Sequence, residues 1–423
     1  MNFLTDASPE ELPYFLSRFI QIVEFDKLRR RLIHLQERSE DIAWRAFSFE
    51  RLGMEMALAH TLNYKRVTGR FPDILKSPDH YRIFSFMATV VKIYDRLSQM
   101  GKTRLRGELK KALDQEDGFN SLAFEMRIAT QLIRSGFDLT FSDLEGLSRY
   151  DFLASKKDKI LEIECKFISP DIGRKIHQRK FHQLAEAIKP ALDAAIATSN
   201  VGGVLVDIRL PDRLNVQVEE VAKLRDAVTQ ALLANENTQT ATFSVARRNF
   251  NISMSPLRHG KHYPHLLTEM KDFVETKLEV SNPHIMIRGE LRRNAAVIIS
   301  VSSRKSDTVL DSIHSKALRS AADQLTGKNT GIVCMHFSAL TEREIQELSA
   351  IPSGLTGIIY KTLKNRPHIH GVTLMTSGTV QSSKSPIILA PEITTETGKV
   401  ITFLNPANVE HEDDIFSSIF RDG

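Results

Sequence analysis

Apolar residues recur at helical spacing from Pro9 to about Leu113, and the pattern predicts a succession of amphipathic helices. Ser8-Pro9-Glu10-Glu11 has the form of a helix start, a cap followed by acids in the first turn. Further helices read through Trp44 to Leu62 and Tyr81 to Met100, with Phe71-Pro72 and Ser77-Pro78 as breaks. Another is predicted from Ser121 to Ser135, where Leu122, Phe124, Met126, Ile128, Ala129, Leu132 and Ile133 form a broad apolar arc and Gly136 stops it. The period then shortens to two. Tyr150–Ala154 reads as a short strand, Lys156-Lys157-Asp158-Lys159 as a polar turn, and Ile160–Phe167 as the returning strand of a hairpin. Leu161, Ile163, Cys165 and Phe167 share one face, which belongs in a core; Glu162, Glu164 and Lys166 share the other.

A long helix follows from Arg174, with Ile176, Phe181, Leu184, Ile188, Ala191 and Ala195 inward and Pro190 expected to kink or restart it. Gly202-Gly203 leads into Val204–Ile208, an apolar run that suits a buried strand. Ala234–Gln239 reads as a linker. Beyond it, Ala295–Val301 and Gly331–Phe337 read as buried strands around a helix from Leu310 to Leu325. A strand, an Ile-His-bearing helix, an Asn-x-Gly turn and a strand occur in that order twice, at Ile176-His177 with Asn200–Gly202 and at Ile313-His314 with Asn329–Gly331. Two generic units explain this better than a duplication. The reading divides the chain into a helical domain over 1–116, a core over 117–233 and an α/β domain over 241–423.

Composition narrows the setting. A chain of 423 residues exceeds what one core organises, so two or three domains are expected. Its two cysteines, Cys165 and Cys334, lie in apolar runs, which argues against a disulfide framework or a structural zinc and for a reducing cytosol. Met1–Asp6 lacks the form of a signal peptide and no apolar run is long enough for a bilayer, so a soluble cytoplasmic protein without membrane partners is expected. The net charge of +5 is mild for this length. From Arg149 to Lys189, however, ten Lys/Arg face six Asp/Glu, and Arg174, Lys175, Arg179 and Lys180 are candidate contacts to a phosphate backbone. The run Lys27, Arg29, Arg30, Arg31 fits a solvated helix face better. His259, His262 and His265, interleaved with Arg258 and Lys261, fit a basic loop better than a zinc site, and His368-Ile369-His370 is no stronger. No glycine-rich phosphate loop or nucleophile elbow is present, which excludes those two chemistries. The helical N-terminal region is expected to bind the target or to dimerise, with itself or with a partner protein; periodicity does not separate these.

The candidate chemistry lies between Leu122 and Phe167. Glu125 falls inside the apolar arc of its helix, where a carboxylate is costly unless paired or bound to metal. The hairpin brings Asp151 close to Glu164, and two neighbouring carboxylates repel in a way that a cation relieves. Glu-x-Lys also occurs at Glu108-Lys110, Glu269-Lys271 and Glu275-Lys277. Only Glu164-Cys165-Lys166 combines an alternating apolar strand, an upstream Asp and a carboxylate-bearing helix.

In this order, Phe124-Glu125-Met126-Arg127-Ile128-Ala129, Leu132, Gly136-Phe137, Asp151 and Glu164-Cys165-Lys166 resemble the PD-(D/E)XK nuclease superfamily, the restriction-endonuclease-like fold. The resemblance covers about Asn120 to Leu210, and Tyr150 stands where that family often has proline. It implies an α/β fold: a restriction-endonuclease-like core with a mixed central sheet flanked by helices, built as helix, hairpin with a third strand, helix and further strand. An all-helical N-terminal domain precedes it and a further α/β region follows. It also implies Mg²⁺ as cofactor, with Mn²⁺ able to substitute. Asp151, Glu164 and the Cys165 backbone carbonyl would be the metal ligands, Lys166 the catalytic lysine and Glu125 the additional helix acid. The activity implied is phosphodiester hydrolysis with nucleic acid, DNA foremost, as partner; by fold-level analogy the setting is host defence or restriction. The competing reading keeps the fold as an idle nucleic-acid-binding or assembly module.

Overall fold

The computed structural model describes residues 7–38, 42–198, 202–252, 263–280, 284–290, 295–338, 354–376, 380–382, 393–395, 400–405 and 407. The protein is mixed α/β, with two mixed sheets flanked by helices. The chain forms two compact units, one from Met1–Ser39, Ser48–Ile172 and Val309–Gly423, the other from Glu40–Phe47 and Gly173–Thr308. Among the described residues no helix is long and apolar enough to cross a membrane.

In the first unit the helices are α1 (Leu12–Val23), α2 (Phe25–Arg38), α3 (Ile42–Thr68), α4 (Pro78–Arg96), α5 (Gln99–Ala112) and α6 (Asn120–Arg134). The expected start is present: Ser8 and Glu11 form a reciprocal capping box on the turn that leads into α1. The predicted helix from Tyr81 to Met100 is instead two helices, because Leu97 turns extended and the Ser98 hydroxyl accepts from Gly101 N, starting α5. The basic run of α2 is tied to its own unit, with Lys27 Nζ 2.6 Å from Asp114 and Arg31 donating to Gln115 O. Phe19, Phe86 and Phe119 meet edge-on or tilted, with Phe19 and Phe119 wholly buried, and join α1 and α4 to the start of α6. The helical region and the helix bearing Glu125 therefore share one core, and the expected boundary between 116 and 117 does not separate compact units.

The main sheet of this unit has six strands, and β11 (Val380–Ser382) and β12 (Ile393–Thr395) pair apart from it. Its first strands are β1 (Asp138–Phe141), β2 (Phe152–Lys156) and β3 (Lys159–Ile168). The β2–β3 hairpin closes through Lys157-Asp158, with Lys157 at φ +54, and its register sets Phe152 opposite Ile163. β3 next pairs in parallel with β9 (Thr330–Phe337), which pairs in parallel with β10 (Ile369–Thr376); β13 (Val400–Leu404) closes the edge antiparallel. The helix expected from Leu310 to Leu325 runs from α10 (Val309–Ser312) through a π-helical stretch, Ile313–Leu318, into α11 (Arg319–Gln324).

The second unit holds α7 (Gln178–Thr198), β4 (Gly202–Leu210), α8 (Val218–Leu233), β5 (Thr238–Gln239), β6 (Ser244–Phe250), α9 (Tyr263–Lys277), β7 (His284–Glu290) and β8 (Ala295–Ser303). Its sheet order is β5-β6-β4-β8-β7. Val204, Val206, Ile208 and Leu210 share one buried cluster with residues of α7 and α8, and Leu205 and Ile298 share another with Met270, Phe273 and Val274 of α9. The two ends of this unit meet: Thr308 N donates to Gly173 O and Lys175 N to Asp307, each at 2.8 Å. Here the sequence expectation is corrected. The helix over Gln178–Thr198 and the strand at Val204–Ile208 exist, but they build this second sheet rather than the one containing Glu164. Parallel pairing of β3 requires a crossover, and the crossover that returns beside it comes from 309–337 after Gly173–Thr308 has folded separately. Ala234–Gln239 is likewise a tight α8-to-β6 connection that contains β5, and Pro190 sits inside a continuous α7. His259 and His262, and the acidic end at 410–414, lie outside the described residues, as does the side chain of His265.

One buried carboxylate in the helical layer sets a pH dependence. Glu55 of α3, fully buried, accepts from Phe119 N at 2.8 Å at the start of α6. It lies against Gly118, where φ is +53 and a Cβ would run into the Glu55 carboxylate. Burial, opposed by the Phe119 bond and the Arg31 charge, pushes Glu55 up to about 7 from 4.5. A raised carboxylate value favours the folded state at low pH, and that contribution is lost as pH rises through the folded value. The loss is on the order of 3 kcal/mol. Glu55→Gln keeps the acceptor for Phe119 and cannot ionise. Its melting temperature should match wild type near pH 5 and exceed it at pH 8.5; an offset independent of pH would exclude this account.

Candidate active site

Asp151 is placed by the bend before β2, whose backbone is held where Ser142 N donates to Asp151 O. β2 begins only at Phe152, so the β2–β3 ladder ends at Ile163 and the backbone of β3 beyond it is open on that side. Asp151 fills the opening: Cys165 N donates to Asp151 Oδ2 at 2.6 Å. Extended backbone directs the N–H and C=O of one residue to the same edge, so the Cys165 carbonyl faces the side on which Asp151 lies.

The alternation of β3 is as expected, but both faces are covered. Leu161, Ile163 and Cys165 pack in a cluster with Phe124, Ile128 and Leu132 of α6. Glu162 and Glu164, on the charged face, are 0% and 1% exposed. Their neighbours across β9, Gly331 and Val333, and the contacts of β3 with α11, show what covers them: the helix that returns after the second unit. Glu162 accepts from Thr326 N at 2.7 Å, Thr326 Oγ1 at 2.5 Å and Asn329 Nδ2 at 3.2 Å, which pins the loop after α11 to the strand. Lys166 Nζ lies 2.5 Å from Glu164 Oε1 and 2.6 Å from Gln324 Oε1, while Gln324 Nε2 donates to Arg149 O at 3.2 Å. Gln324 thus ties the lysine to the segment that leads into Asp151. Sequence reading missed it, because one glutamine at a helix end in a distant segment carries no signal of its own.

The electrostatics are those of crowded, poorly solvated acids. Burial pushes Asp151 up to about 6, against the Cys165 N–H and Lys166. Glu164 rises to about 8 through burial and then the Asp151 charge, opposed by Lys166. Glu125, partly buried on α6, is held well above the carboxylate range by burial first, and then by Asp151 and Glu164. The three carboxylates and Lys166 therefore act on one another. Glu164 Oε2 is buried without a hydrogen-bond partner among the described residues, a costly state for a carboxylate oxygen.

A hard divalent cation fits this donor set. Mg²⁺ uses one or two carboxylates and retains waters, and an unpartnered Glu164 oxygen beside Asp151 offers such a position. Among the described residues no three or more His, Cys, Asp or Glu stand together as a metal-holding group. The remaining candidates belong to the second unit. Arg174 is paired with Asp307 at 3.3 Å and Lys175 with Asp212 at 3.6 Å inside the second unit, both mostly buried; Arg179 and Lys180 lie at the start of α7. No family model matches the chain, and no curated protein matches it in sequence.

The Glu162 clamp yields a stability prediction. Glu162→Ala leaves three donors of Thr326 and Asn329 unanswered, one of them a backbone N–H, so unfolding in urea should show a loss of about 3 kcal/mol. Glu162→Gln should lose less, because its carbonyl still accepts. Equal losses in the two variants would remove the clamp from the account.

Proposed function

We propose that the protein is a metal-dependent nuclease that hydrolyses phosphodiester bonds, with DNA as the expected substrate and a restriction-endonuclease-like core. The observation that carries the reading is the convergence of Asp151, Glu164 and Lys166 around the Cys165 amide at the open end of β3. The succession α6, β1–β2–β3, α10–α11, β9 supports it as well. It has the order expected of a PD-(D/E)XK core, helix, hairpin with third strand, helix and further strand, if Gly173–Thr308 is taken as an insertion before the second helix.

The roles follow from the geometry. Asp151, Glu164 and the Cys165 carbonyl would hold Mg²⁺ or Mn²⁺, which when bound acidifies a water and neutralises charge on the scissile phosphate. Asp151 is oriented for this by the Cys165 N–H, which donates to Oδ2. Lys166, fixed between Glu164 and Gln324, presents an ammonium where a water is to be oriented or negative charge on phosphate is to be stabilised. Glu125 adds a third acidic group that hydrogen-bonds to water or takes up a proton. A host-defence role is part of this reading and rests on fold analogy.

The first test is incubation of the purified chain with plasmid, single-stranded DNA and RNA, with Mg²⁺, with Mn²⁺ and with chelator. Cleavage should require the metal. Asp151→Asn and Glu164→Gln should lose cleavage and, by calorimetry, bind Mn²⁺ more weakly while still binding nucleic acid. Unchanged Mn²⁺ affinity in both variants would rule out the assignment. Lys166 gives a separate test: Lys166→Ala should lower kcat by about 100-fold or more with KM nearly unchanged. Lys166→Arg should restore only part of it, since a broad guanidinium does not replace a compact ammonium. Near-normal turnover in Lys166→Ala would transfer support to the idle binding module.

A further inference from the structure

Arg127 stands two residues after Glu125 on α6, and its side chain has a different setting from the acids beside it. It is exposed to solvent, yet the surrounding protein and the nearby Arg82 pull its pKa down to about 10. Among the described residues no carboxylate pairs with it. Its guanidinium instead rests 5.6 Å from the Phe124 ring centroid, with Nη2 3.2 Å from Met375 Sδ, contacts that hold its position and leave its charge unanswered.

The ring beneath Arg127 belongs to an aromatic group. The His336 ring lies 5.2 Å from Phe124 and stacks on Phe167 at 5.4 Å, on the face of β3 opposite Glu164 and Lys166. His336 is 7% exposed, and its Nδ1 is buried without a partner among the described residues. Burial, then the charges of Arg127 and Arg82, keep this imidazole neutral. Arg82, on α4, is half-exposed and, among the described residues, has a single 3.5 Å ion contact, to Asp79. The charge of Arg82 disfavours that of Arg127, and an anion bound at Arg127 relieves the repulsion. Arginine's planar fork suits a phosphate, which it meets with paired N–H donors.

We propose that Arg127, with the charge of Arg82 acting on it, is a subsite for a non-scissile phosphodiester of the substrate strand, held over the Phe124–His336–Phe167 stack. The proposal rests on the nuclease reading for what occupies the centre itself. It deepens that reading by placing the strand across the α4–α6 side of the first unit. The basic segment beginning at Arg174 contributes less, since Arg174 and Lys175 are ion-paired within the second unit.

The test separates binding from turnover. Full-length protein carrying Glu164→Gln, in chelator, is titrated with a fluorescein-labelled 20-nucleotide single strand and with its duplex, and anisotropy is followed across a salt series. Adding Arg127→Gln should weaken binding of the occupied form about tenfold. It should also reduce the slope of log Kd against log salt by about 0.7 to 0.9, the signature of one lost phosphate contact. Arg127→Lys, which keeps charge but not the fork, should fall between. Melting temperatures within a degree or so of the parent, by the same criterion for both variants, exclude misfolding. Unchanged affinity and slope in Arg127→Gln overturn the subsite, as does a parent that binds neither oligonucleotide. If the unsubstituted chain shows no metal-dependent cleavage while Arg127→Gln still weakens binding, the nuclease reading falls and the phosphate subsite stands.

Discussion

The parallel pairing of β3 with β9 is the constraint on which the candidate site depends. Parallel neighbours cannot be joined by a tight turn, so the chain must leave β3, travel, and re-enter on the same side. It does so with α10–α11, and that crossover lays a helix over the one face of β3 that bears charges. Without it, Glu162, Glu164 and Lys166 would be three solvated side chains on an edge-facing strand. With it, Glu162 and Glu164 are desolvated, and partners at fixed positions hold the charges: Thr326 and Asn329 for Glu162, Gln324 for Lys166.

Desolvation gives these acids their chemistry. A carboxylate in water is indifferent to a neighbour several ångströms away; in a poorly solvated site the same neighbour shifts its proton equilibrium. Glu164 and Asp151 both rise, and the ammonium of Lys166 offsets only part of the crowding. The Cys165 N–H holds Asp151 at the point where the β2–β3 ladder stops, so the backbone group that would have been orphaned by the end of the hairpin becomes the site's orienting donor. Structure and chemistry share that bond.

The second unit shows how such a site tolerates a large insertion. Gly173 and Thr308 are hydrogen-bonded to one another, as are Lys175 and Asp307, so the segment leaves and rejoins at nearly one point. An insertion with adjacent ends asks little of the host chain beyond a wider loop, because loop-closure entropy grows only slowly with length. It folds around its own sheet, with α7 and α8 on one face of it and α9 on the other.

Local pattern determined much of this protein. The cap at Ser8, the helix that Gly136 stops, the hairpin through Lys157-Asp158 and the period-two strand carrying Glu164 and Lys166 are consequences of near-neighbour sterics and periodicity, which operate over a few residues. The proximity of Asp151 to Glu164 followed for the same reason, since a hairpin fixes its register locally. Which strand lies beside β3 was not legible. Val204–Ile208 and Gly331–Phe337 are both buried apolar runs after helices, and periodicity cannot tell whose hydrogen bonds each will take; only the tertiary fold assigned the first to a separate sheet and the second to the site. The same holds for Gln324 and Arg127. Their roles depend on what lies within a few ångströms across the fold, and that distance is set by packing between segments that the sequence keeps far apart.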